Sequence, residues 1–171
     1  MKSSITRTCA VLFVAFVCFG FAPLKSQLKS FLGVRYDRVL AYSFESNPEG
    51  SPPVIDSKGQ PTKYVKKYMA LAQSDIDYLD KILSSPKTYG EAPASCFEPA
   101  LALVYFKNNK PVIQIDICFE CNHLYSTVPI KASRIKWVHD DNGKRIYPLD
   151  GFSKKGGDAL YAFFKKLRYV K

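Results

Sequence analysis

Residues 100–118 read ALALVYFKNNKPVIQIDIC, and this stretch constrains the fold more than any other. Two runs rich in β-forming residues flank Asn108-Asn109, and asparagine tolerates the positive φ that a two-residue turn demands. The stretch predicts an antiparallel hairpin with one apolar face. If Asn108 and Asn109 form the turn, Lys107 opposes Lys110. The same ladder sets Val104 against Ile113, Ala102 against Ile115 and Ala100 against Ile117.

The hairpin brings the cysteines into the argument. Extended further, its ladder sets Cys96 against Cys121, on the face shared with the isoleucines, because strand side chains alternate. Opposed Cβ atoms stand about 4.5–5.5 Å apart, which makes Cys96 and Cys121 disulfide candidates. Pro99 interrupts that ladder, since proline has no amide hydrogen to donate. Cys118 has the opposite parity and neighbours Gln114 and Asp116, which makes it the candidate free, accessible thiol. A Cys118–Cys121 bridge is the competing arrangement. In an extended strand their Cα atoms would lie about 10 Å apart, so the pair closes only if Phe119-Glu120 turn. A thioredoxin-like redox pair would open a helix, and no helical pattern follows here. A haem attachment site needs C-x-x-C-H, and Asn122 separates Cys121 from His123. Cys96, Cys118, Cys121 and His123 also make a Cys₃His set that would suit zinc or another thiophilic metal. Otherwise no cofactor is expected.

The other elements follow from pattern. Asp37 to Phe44 is a strand by composition, and Lys63 to Ala72 leans to strand through its tyrosines and valine. Glu45 to Pro61 is a loop dense in Pro, Gly, Ser and Asn. A helix runs from Ser74, as N-cap, to Pro86, with Ile76, Leu79, Ile82 and Leu83 as its apolar stripe. A strand at His123 to Ile130 and a second hairpin around Asn142-Gly143 come next. Trp137 is expected in the core. Ser153 caps a last helix reaching about Leu167, with Leu160, Phe163, Phe164 and Leu167 on its buried face. The order predicts an α+β class: an antiparallel β-meander with two helices packed on one face.

The N-terminus reads as an address. Lys2 and Arg7 precede an uncharged run, Cys9 to Ala22, of signal-peptide length. Residues 1–22 are thus a signal peptide or an N-terminal anchor through residues 8–22, and 23–171 form one domain. The expected location is periplasmic or extracellular. An oxidising compartment makes a disulfide the default for two of Cys96, Cys118 and Cys121.

The formal charge is +10. Lys154, Lys155, Lys165, Lys166 and Arg168 make the last helix a candidate contact for an anionic membrane surface or envelope polymer. No helix-turn-helix, zinc-finger or RNA-stacking signature appears, so no specific nucleic acid is expected. Nucleophile elbow, P-loop and dinucleotide fingerprint are absent too. A structural or binding role is the first reading, and metal binding or thiol redox chemistry is the alternative.

The spacing C-F-E-P at Cys96 to Pro99, an apolar hairpin, then I-C-F-E-C at Ile117 to Cys121 resembles short exported bacterial proteins of unassigned activity. In these, C-[FY]-x-P precedes a hairpin ending in I-C-F-x-C, and a helix follows. The matching positions are Cys96, Phe97, Pro99, Ile117, Cys118, Phe119 and Cys121, within a region of likeness from Ser74 to Leu167. Basic residues that the family places after the proline are replaced here by Ala100-Leu101-Ala102. The resemblance implies a common site around three cysteines.

Overall fold

The computed structural model describes residues 28–45, 54–133 and 136–170. The N-terminal address therefore lies outside the described residues, as do positions 46–53 of the loop. Among the described residues, no helix is long and apolar enough to cross a membrane.

In chain order the elements are β1 (Leu28–Lys29), β2 (Arg35–Tyr36), β3 (Arg38–Phe44), β4 (Val65–Ala70), α1 (Gln73–Leu83), β5 (Tyr89–Glu91), β6 (Leu101–Lys107), β7 (Lys110–Cys118), β8 (His123–Ser126), β9 (Trp137–His139), β10 (Arg145–Pro148), β11 (Gly151–Phe152) and α2 (Lys154–Lys166). Five strands make one antiparallel sheet in the order β4-β3-β6-β7-β8. The fold is α+β, as the pattern of elements predicts.

Side-chain parity divides the sheet. Val39, Ala41, Leu101, Leu103, Tyr105, Ile113, Ile115 and Ile117 face one way and join the main core with Leu79 and Leu83 of α1 and Leu160, Phe163 and Phe164 of α2. Both helices lie on this face. The opposite face carries a smaller cluster of Tyr42, Phe44, Val54, Ala102, Val104 and Phe106. Asp80 ties the N-terminal segment to the main core: it accepts hydrogen bonds from Tyr105 Oη at 2.9 Å and from the Phe31 amide at 3.1 Å.

The β6–β7 hairpin turns at Asn108 and Asn109, with φ of 50° and 62°. Its register departs from an uninterrupted ladder. Lys107 opposes Lys110 and Phe106 opposes Pro111, but Tyr105 then opposes Ile113, so Val112 is an extra residue. Pro111 has no amide hydrogen for Phe106, and a bulge beside a proline is the usual accommodation. The slip of one residue pairs Val104 with Gln114 and Ala102 with Asp116. It turns the isoleucines away from Ala102 and Val104 and towards the helices.

Two smaller readings are corrected and one holds. Ala72, not Ser74, is the N-cap of α1, and it makes no side-chain capping bond. The polar start of α1 is held instead by Gln73 Nε2 donating to Asp77 at 2.7 Å. Trp137 is only half-buried on the β9–β10 hairpin, with the Arg145 guanidinium 5.3 Å from its ring centre. Ser153 does cap α2, accepting from the Gly156 amide at 3.1 Å. A Cβ on Gly156 would sit 2.7 Å from Thr88 Cα, so glycine is what lets α2 pack against that segment.

Candidate functional site

β7 ends at Cys118, and Phe119 to Asn122 form the loop that returns the chain into β8. Asn122 closes the loop with a φ of 52°, a conformation asparagine adopts more readily than most residues. Its amide nitrogen donates to Phe119 O at 3.1 Å, and its side chain donates to Phe152 O at 3.0 Å. Phe119 points into a cluster of rings, with centroids 5.4 Å from Tyr161, 6.0 Å from Phe164 and 6.4 Å from Phe152. Those contacts hold the loop against α2.

This turn brings the Cα atoms of Cys118 and Cys121 to 5.2 Å, and the two form a disulfide. The expected Cys96–Cys121 bridge is therefore not the one found. That expectation carried an extended strand on to Cys121, whereas β7 stops three residues earlier and the loop supplies the closure. Cys118 does share a face with Gln114 and Asp116, as parity requires. It is not the accessible thiol, however, being 3% exposed. Among the described residues Cys96 is the free cysteine, and it is exposed.

All three sulfurs nevertheless meet. Cys96 Sγ lies 3.0 Å from Cys121 Sγ. The Glu98 amide donates to Cys121 Sγ at 3.3 Å, and the Cys121 amide donates to Cys118 Sγ at 3.1 Å. The segment carrying Cys96 is drawn in by the Ala94 amide, which donates to Cys121 O at 2.9 Å. Pro99 is buried where this segment enters β6. Cys121, at 1% exposed, is the central sulfur, with Cys118 bonded on one side and the Cys96 thiol on the other.

No family model, curated protein or solved structure matches the chain.

His123 pairs with Cys118 across the β7–β8 ladder, and its ring meets Phe97 edge-on at 5.6 Å. Its Nδ1 is buried without a hydrogen-bond partner. With two sulfurs bonded to each other, Cys96, Cys118, Cys121 and His123 do not form a ligand set. Among the described residues no group of three or more His, Cys, Asp or Glu is placed to hold a metal ion.

A cleft of about 540 Å³ opens beside the sulfurs, at the end of the sheet under α2. Cys118 lines it, with Phe44, Phe119, Tyr161 and Tyr169 as aromatic wall. Sequence reasoning missed this cleft. Its walls come from β3, the cysteine loop and α2, and no local pattern connects them.

Nearby, Asp116 is a buried carboxylate on the face opposite the helices, 8% exposed. Gln114 Nε2 donates to both its oxygens, at 2.9 and 3.0 Å. Burial pushes its pKa up to about 6, and the Gln114 bonds only partly offset this.

The basic C-terminal helix is partly engaged within the fold. Lys154 pairs with Asp158, and Lys166 pairs with Asp75 at 3.2 Å. Lys155 and Lys165 are exposed.

Proposed function

We propose that this is an exported thiol–disulfide exchange protein whose Cys118–Cys121 bridge is shared between two partners of Cys121. The observation that carries the reading is the 3.0 Å separation between the Cys96 sulfur and the central sulfur of an existing disulfide. The exchange balances without any outside oxidant. Cys96, deprotonated to solvent, attacks Cys121 Sγ. The Cys121–Cys118 bond breaks, and its electron pair leaves on Cys118. The products are a Cys96–Cys121 bridge and a Cys118 thiolate that accepts the Cys121 amide hydrogen. Backbone donation to a thiolate sulfur favours the charged form and makes Cys118 a better leaving group.

Export is supported by the leader-like composition of residues 1–22 and by a disulfide that suits an oxidising compartment. A purely structural staple is the second reading. Against it stands the shortness of the loop that the bridge closes. Chain-entropy estimates give about 1.6 kcal/mol for a separation of 3 residues and about 3.5 kcal/mol for one of 25. A bridge selected only for stability would join Cys96 to Cys121.

Single serine variants, mapped by proteolysis without reductant, test the proposal. Cys118→Ser should contain a Cys96–Cys121 bridge, and Cys96→Ser a Cys118–Cys121 bridge. If Cys96 and Cys121 both remain free in oxidised Cys118→Ser, the exchange reading fails. Stoichiometric zinc in protein purified from its own compartment would favour the metal reading instead.

A further inference from the structure

The three sulfurs differ in what surrounds them. Cys121 is enclosed. Cys96 is exposed, yet it does not line the large cleft. Cys118 alone of the three lines that cleft, among four aromatic rings and the carboxylates of Glu98 and Glu120. Lys66 also borders the cleft, but its ammonium is paired with Glu45 at 3.2 Å. Among the described residues Glu98 and Glu120 have no ion-pair partner, so the unpaired charges lining the cleft are negative, although the Lys67 ammonium stands 4.4 Å over the Tyr169 ring at its border and the chain as a whole is basic.

We infer that Cys118 is the sulfur that meets the exchange partner, and that the partner is a disulfide-bonded peptide segment whose cysteine is flanked by an aromatic or aliphatic residue and by a lysine or arginine. The inference rests on the exchange reading, because Cys118, bonded and 3% exposed in the structure, becomes a nucleophile open to the cleft only when the internal bridge has moved to Cys96–Cys121. The Cys118 thiolate then attacks one sulfur of the partner's disulfide. A Cys118–partner bond forms, the partner's own S–S bond breaks, and its second sulfur leaves as a thiolate. Attack on the mixed disulfide by that thiolate, or by another in the same partner, releases Cys118. No electrons are gained or lost overall, and the partner's cysteines are re-paired. The aromatic wall buries the apolar neighbour of the attacked cysteine, and Glu98 and Glu120 meet its basic neighbour.

The test compares two probes on a Cys96→Ser/Cys121→Ser chain, in which Cys118 is the only cysteine of the cluster. One probe is a disulfide-linked dimer of a short peptide with phenylalanine and lysine beside its cysteine. The other is glutathione disulfide, acidic and without a ring. Mass mapping should find both on Cys118, with the peptide reacting at least about tenfold faster. Tyr161→Ser and Glu120→Gln, each added separately, should lower that ratio, Tyr161→Ser by slowing the peptide with the glutathione rate unchanged, and Glu120→Gln by slowing the peptide and speeding the acidic glutathione. Equal rates for the two probes, or a ratio indifferent to both substitutions, would overturn the inference. Should the double variant not fold, wild-type protein gives the same reading from the site of the peptide adduct. Adducts on Cys96 alone, in protein whose bridge does move, would overturn the inference and leave the exchange reading standing. A bridge that never leaves Cys118–Cys121 would remove the exchange reading itself.

Discussion

Cys121→Ser should lower stability by about 1.6–3.5 kcal/mol and leave no bridge among the three cysteines, whereas Cys96→Ser and Cys118→Ser should each keep one. The asymmetry follows from sharing. Cys121 takes part in both arrangements, and each outer cysteine in only one. Cys118→Ser should be at least as stable as wild type, because its remaining bridge closes the longer loop, with a separation of 25 residues against 3. Urea unfolding of the four chains without reductant measures the differences. With reductant present the differences should shrink towards zero, since the loop-closure contribution then disappears from all four. If Cys118→Ser proved as costly as Cys121→Ser, a bridge confined to Cys118–Cys121 would be the better account.

The second large effect concerns Asp116. A carboxyl whose folded pKa is raised binds its proton more tightly in the folded state than in the unfolded chain. Its favourable contribution is complete below the unfolded value of about 3.9 and is lost as pH rises through about 6. Stability should therefore fall by about 2–3 kcal/mol between pH 4 and pH 7 on account of this residue. Asp116→Asn keeps the shape and an acceptor for Gln114 but has no charge to bury. It should flatten that part of the profile and stabilise the protein by a similar amount at neutral pH. Urea titrations at stepped pH values would show it. An unchanged pH profile in Asp116→Asn would mean that the carboxylate is better solvated than its 8% exposure implies.

Much of the architecture was legible in the residues themselves. Asn108-Asn109 and Asn142-Gly143 mark turns by the φ they tolerate. The stripes Ile76, Leu79, Leu83 and Leu160, Phe163, Phe164 mark helices that need a covered face, and Ser153 marks where the second begins. The extra residue Val112 was not legible. A proline in a hairpin signals a break in pairing, but not on which side the strand will take up slack. That single slip decides which face the isoleucines share, and so it undid the extrapolation that matched Cys96 with Cys121. The end of β7 at Cys118 was also hidden. It depends on Phe119 finding Phe152, Tyr161 and Phe164, residues more than thirty positions away. The gathering of three sulfurs, by contrast, was readable as a possibility from the spacing of Cys96, Cys118 and Cys121. What spacing could not supply was their order, with Cys121 in the middle.

That order is the central claim, and a non-reducing peptide map of the wild-type protein tests it most directly. Cleavage after Lys107 and Glu120 separates Cys96, Cys118 and Cys121 onto three peptides. The account predicts two linked species in the same preparation, Cys118 with Cys121 and Cys96 with Cys121, and none that joins Cys96 to Cys118. A single linkage, with the third cysteine always free to alkylate, would contradict it.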